Sequence, residues 1–170
     1  MLSIETAIGA AWPAHDWESL AEQTVRAAIA GSPQAHLSEG RMVCEVAVRL
    51  TDDEEVRRLN AQYRNKDRPT NVLSFPLVQA DLLTGLTNSD DGEVLLGDIV
   101  LAYGVCAREA AEKRLPLADH AAHLMVHGAL HLVGYDHETE AEAVEMERVE
   151  TAILAKLGIA DPYAAEATGR

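Results

Sequence analysis

The chain has 170 residues, of which 48% are apolar, enough for one domain with its own hydrophobic core. No long apolar run or basic segment follows Met1, so neither a secretory leader nor a membrane anchor is expected, and Cys44 and Cys106 read as reduced core thiols of a cytoplasmic protein. A net charge of −14 argues against nucleic-acid binding through overall charge, although Arg57, Arg58, Arg64, Lys66 and Arg68 crowd into one short stretch and predict a basic patch on an acidic body.

A first strand is expected over Leu2–Ile8. Asp16 caps a helix over about Trp17–Ala30, with Leu20, Thr24, Val25, Ala28 and Ile29 on its apolar face, and Gly31-Ser32-Pro33 ends it. Met42–Leu50 alternates as a strand does. Thr51 followed by Glu54 is a capping-box pattern, and it opens a helix running to Tyr63 with Val56, Leu59 and Tyr63 on one side. Asn65–Thr70 is a polar loop in which Pro69 bars a helix. Val72–Phe75 is a short strand stopped by Pro76.

The stretch Gln79–Glu93 is rich in Asp, Gly, Asn and Thr and reads as one long loop, expected to be mobile and to lie outside the site. Val94–Leu101 is a strand with Gly97-Asp98 inside it, and a helix follows over Ala102–Lys113. After Leu115-Pro116 comes a helix rich in histidine. The last helix spans Glu140–Leu157, with Val144, Met146, Val149, Ile153 and Leu157 as its apolar positions and Gly158 at its end. The tail after Tyr163 is expected to fray. The order β-α-β-α-β-β-α-α-α predicts an α+β fold of one domain over residues 1–170. Its small mixed four-stranded sheet packs against helices around the histidine helix. Strands separated by helices are expected to run parallel, and the pair around the long loop antiparallel.

The chemistry gathers in His127-Gly128-Ala129-Leu130-His131-Leu132-Val133-Gly134-Tyr135-Asp136-His137. His127 and His131 lie one helical turn apart on one face. Gly134 lets the helix end in a left-handed turn, and the chain then brings His137 toward the same point. Three neutral imidazoles and an open position describe a catalytic zinc site, one ion per chain. Such an ion acidifies a bound water to a pKa of about 7 and polarises an oxygen ligand. The spacing matches the metzincin run H-E-x-x-H-x-x-G-x-x-H except that Gly128 stands where those peptidases carry their general base. His123 reads as a packing histidine of the core, and His120 as a more exposed one near the helix start. Asp136 fits two readings, a carboxylate supporting the site or a residue that turns the chain before His137.

The same run resembles the signature of the YbeY family of bacterial endoribonucleases and rRNA maturation factors. The resemblance extends to Asn60 through Pro76 and to Leu96-Gly97-Asp98-Ile99, in the expected order. It implies a mixed four-stranded sheet and a metal-dependent hydrolase acting on single-stranded RNA in rRNA maturation and ribosome quality control. The implied partners are the small ribosomal subunit, its proteins and an assembly GTPase, with neither DNA nor a membrane. On the residues alone, Arg64 is either a phosphate-binding guanidinium or a solvated helix-end charge. The resemblance implies the first, because Arg64 matches the family's functional arginine. Arg64 and His127 are then the expected catalytic residues, with Arg57, Lys66 and Arg68 along the RNA. Asn71 stands where the family pattern carries Asp. Asp98 inside an apolar strand either orients a histidine of the metal site or caps backbone at a bulge. Two further readings remain, a ribosome-assembly factor with a structural metal and a metzincin-like peptidase.

Overall fold

The protein was analysed as a computed structural model that describes residues 1–86 and 92–164. Strand β1 (Leu2–Ile8) is followed by helix α1 (Trp17–Ala30), a 3-10 turn over Ala35–Ser38, β2 (Val43–Thr51), α2 (Asp53–Arg64) and β3 (Val72–Pro76). Then come the short helix α3 (Ala80–Thr84), β4 (Glu93–Ala102), α4 (Tyr103–Lys113), α5 (Leu117–Leu132) and α6 (Glu140–Lys156). The sheet order is β1-β2-β4-β3, with β1 and β4 parallel to β2 and β3 antiparallel to β4. The α+β class and the mixed four-stranded sheet agree with the sequence pattern, as do the parallel β1–β2 pair and the antiparallel β3–β4 pair. Strand β3, although α2 separates it from β2, runs opposite to β2, because it pairs antiparallel with β4, which is itself parallel to β2. Among the described residues no helix is long and apolar enough to cross a membrane.

Helix α5 is the centre of the fold. It packs against α1, α4 and α6 and lies on β3 and β4. Leu124, Met125, Val126, Ala129, Leu130 and Leu132 are all buried, each large one contributing about 1.5–3 kcal/mol. Its apolar character on all sides is explained by these neighbours, which leave His127 and His131 only partly covered. His120 departs from expectation. It is 1% exposed, because α4 covers the start of α5 and Glu109 bonds its Nε2 at 2.8 Å.

A bulge in β4 sets which side chains face α5. Glu45 pairs with Leu95 and Val46 with Gly97, so Leu96 is the extra residue. Gly97 then sits at φ +150, where a Cβ would lie 2.3 Å from the Phe75 carbonyl oxygen and 2.7 Å from Leu132 Cδ2. Gly97→Ala is expected to cost about 2 kcal/mol or more, from backbone strain and overpacking together. A urea midpoint equal to that of the parent chain would contradict this packing.

Two local expectations are corrected. The cap of α2 is Asp52, whose side chain accepts from Glu55 N, rather than Thr51 paired with Glu54. The stretch Gln79–Glu93 is not all loop, since α3 forms within it and anchors Leu83, 0% exposed, in the core. Residues 87–91 of that stretch lie outside the described residues, as does the tail from 165.

Candidate metal centre and adjoining basic cleft

Helix α5 ends in a Schellman motif. Tyr135 N donates to Leu130 O at 3.0 Å and Gly134 N to His131 O at 3.2 Å, with Gly134 at φ +108. The chain leaves the helix at that glycine and turns back, and Asp136 Oδ1 accepts from His137 N at 2.8 Å to fix the turn. The imidazoles of His127, His131 and His137 are thereby gathered, with ring centroids 4.7, 4.9 and 5.6 Å apart. One ring nitrogen from each lies within 4.8 Å of the others. An ion at about 2.0–2.1 Å from each nitrogen needs only a modest contraction of that triangle.

The protonation of the rings suits a cation. Burial, helped by His127 and His137 nearby, lowers His131 to about 4, so its lone pair is free at neutral pH. Glu150 of α6 is 0% exposed and its Oε2 lies 2.6 Å from His127 Nδ1. Burial alone would raise the Glu150 carboxyl, but hydrogen bonds from His123, His127 and Tyr163 outweigh it and hold it near 2. An ionised carboxylate only accepts, so in this contact the His127 Nδ1 is the donor. The three side chains therefore fit a metal ion.

Gly128 is buried against the sheet. A Cβ there would stand 2.8 Å from Ile99 Cγ2, so this position has no room for the glutamate of a metzincin peptidase. The close approach of α5 to β4 is what requires a glycine.

The histidines border a cleft of about 530 Å³ shared with Arg64, Ser74, Gln79, Tyr135 and Asp136. Arg64, the last residue of α2, donates from Nη2 to Ser74 O at 3.0 Å and lies 5.9 Å from the centroid of the Phe75 ring. It thus reaches the edge strand β3 and borders the same cleft as the histidines. A second cleft of about 450 Å³ continues past Arg64 along Lys66, Arg68, Asn71 and Glu109. Asn71 Oδ1 accepts from Val72 N at 2.7 Å and its Nδ2 donates to Glu109 at 3.0 Å, a bond that an aspartate could not make.

Two expected site residues lie elsewhere. Arg57 faces neither cleft; it is held between Glu54 and Asp67, and these hydrogen bonds, that to Glu54 first, raise its pKa. Asp98 does not orient a histidine. The bulge turns Gly97 and Ile99 toward α5 and leaves Asp98 exposed on the far face, in a groove with Glu5, Arg49 and Tyr63. Among the described residues, the carboxylate bonded to a histidine of the cluster is Glu150. Its sequence signal was an acid set among Met146, Val149 and Ile153 on the buried side of α6.

A family model described as Endoribonuclease YbeY matches residues 10–158. The chain belongs to the YbeY family. Curated relatives named Endoribonuclease YbeY include one from Rhizorhabdus wittichii, 62% identical over 149 residues and 88% of each chain. Another, from Sphingopyxis alaskensis, is 61% identical over 165 residues, 96% of this chain and 98% of the relative. A solution structure of a Thermotoga maritima protein shares the fold, with a TM-score of 0.54 at 23% identity over 92% of this chain and 91% of that one. The three sequence blocks that carried the family resemblance, Asn60–Pro76, Leu96–Ile99 and His127–His137, all fall inside the matched residues.

Proposed function

We propose that this chain is a zinc-dependent endoribonuclease specific for single strands, acting in the cytoplasm in rRNA maturation and ribosome quality control. Its processing target on this reading is the 3′ end of the small-subunit RNA. The observation that supports it most is the shared cleft, lined by Arg64 together with His127, His131 and His137. Three nitrogen ligands with an open position suit zinc. When bound, the ion supplies Lewis-acid polarisation of a phosphoryl oxygen and a more acidic water.

The chain's own residues do the rest. Arg64 spends one N–H on Ser74 O and keeps its remaining donors for a phosphate, where its charge offsets the negative charge that grows during cleavage. Lys66 and Arg68 follow the sugar-phosphate backbone along the adjoining cleft. Asp136 holds the turn that carries His137. A phosphate lodged between β3 and the histidine helix is reachable by a flexible strand and not by a stiff duplex. The partners that accompany this reading are the small ribosomal subunit, its proteins and an assembly GTPase. A peptidase would need a base near His127, and Gly128 packed on Ile99 offers none.

The test is incubation of zinc-loaded protein with a single-stranded RNA, the same sequence as a duplex, and casein. Cleavage of the single strand alone is expected. Cleavage of casein instead would select the peptidase, and cleavage of neither substrate the assembly factor. Arg68→Ala should weaken RNA binding and lower its salt dependence by about one counterion, while Arg57→Ala should change both less, because its guanidinium is already occupied. Equal losses for the two variants, measured by salt titration of binding, would contradict this path for the strand.

A further inference from the structure

We propose that Glu150 and Tyr163 are positioning residues that fix His127 in one tautomer and one orientation, so that its Nε2 is offered to the metal. The inference rests on the metal reading of the histidine cluster and adds the device that prepares it. Glu150 lies on α6 with both carboxylate oxygens engaged. Oε2 takes the Nδ1 proton of His127 at 2.6 Å, and Oε1 takes the Nε2 proton of His123 at 2.9 Å. His127 and His123 are one turn apart on α5, so one carboxylate clasps two successive histidines of the same helix.

Tyr163 closes the arrangement from the other end of the chain. After α6 the backbone turns at Asp161, whose Oδ1 accepts from Tyr163 N at 2.8 Å. The Tyr163 ring then stands edge-on to His123, with centroids 5.3 Å apart, and its hydroxyl donates to Glu150 Oε1. A buried carboxylate is costly unless its lone pairs are filled. Here three donors fill them, and two of these donors are imidazoles.

The chemistry calls for a carboxylate at 150. An amide has one accepting end. In Glu150→Gln the carbonyl can serve one imidazole N–H, and the amide N–H₂ then meets the other ring's N–H unless that ring moves its proton. His127 is thereby released to place its proton on Nε2, which removes the lone pair from the cluster. Tyr163→Phe keeps both imidazole bonds and removes only the hydroxyl that holds the carboxylate, so its effect should be smaller and in the same direction.

The experiment has two readouts on the full chain. Nitrogen-15 NMR of the histidine rings in metal-free protein reports which nitrogen of His127 holds the proton. Competition with a chromophoric chelator gives the zinc affinity. The expected results are an Nδ1 proton on His127 in the parent chain, loss of that preference in Glu150→Gln, and zinc binding weaker by about 10–100-fold. A merely structural Glu150 would lower the melting temperature and leave the tautomer untouched. An Nε2 proton on His127 in the parent chain overturns the proposal, as does a Glu150→Gln chain with parental tautomer and affinity. If Glu150→Gln does not fold, Tyr163→Phe decides: weaker zinc binding upholds the proposal, and parental affinity overturns it. A parent chain that binds no zinc overturns the metal reading, and the His127 tautomer in that same protein still decides the part of Glu150.

Discussion

Arg64→Ala is expected to slow single-turnover cleavage of single-stranded RNA by about 100-fold or more, the loss typical of removing a donor aimed at developing charge. RNA affinity should fall far less, and metal content should not change. Arg64 is not among the clustered imidazoles; it lines the same cleft from the end of α2, tied to β3 through Ser74 O. The Phe75 ring lies beneath its guanidinium, and Tyr63 packs edge-on to Phe75 with centroids 5.3 Å apart. Arg64→Lys should recover only part of the rate, since an ammonium cannot give the two parallel bonds of the fork. An unchanged single-turnover rate in Arg64→Ala would remove this side chain from the chemistry and leave it as a binding contact.

His131→Ala should abolish stoichiometric metal and, with it, RNA cleavage. His131 is the middle member of the cluster, with its ring 4.7 Å from His127 and 4.9 Å from His137. Without it, two imidazoles remain that face each other across 5.6 Å, too few for a site with one open position. The parent chain should gain thermal stability on adding zinc, by about 4 kcal/mol at a thousandfold excess over the dissociation constant, while the variant gains nothing. A metal-to-protein ratio of one in purified His131→Ala would refute the site.

The histidine cluster was legible in sequence because its geometry is local. A helix repeat places His127 above His131, and Gly134 marks the reversal that delivers His137; no distant contact is needed. The parallel β1–β2 pair and the antiparallel β3–β4 pair were legible from what connects them, but β3 runs opposite to β2 although α2 separates them, because its direction is set by pairing at the sheet edge with β4. Arg64 was legible in place but ambiguous in role, and only the approach of α2 to β3 brings it to the cleft.

What escaped the sequence depends on contacts between distant segments. Glu150 is 23 residues from His127, and nothing in the run around His127 signals it. Its position on the buried side of α6 was the available clue, obscured because Val144 was counted among the apolar face, where it is 63% exposed. Asp98 was placed by its neighbours in an apolar strand, but an unseen bulge at Leu96 reversed which residues of β4 face α5. His120 was expected near solvent because it lies close to a helix start, and α4 buries it. Helix α3 was missed because Leu82-Leu83 is too short a signal within an acidic, glycine-bearing stretch, and Leu83 finds its place only in the assembled core.

The central claim is that the histidine cluster holds the metal on which RNA cleavage depends. Its most direct test is the single-turnover rate on single-stranded RNA for the parent chain stripped of metal, then restored with one equivalent of zinc, beside His131→Ala treated in the same way. The account predicts no cleavage by the stripped chain, full cleavage on restoration, and none by His131→Ala in either state. Cleavage that persists in the stripped chain, or that returns with zinc in His131→Ala, would contradict it.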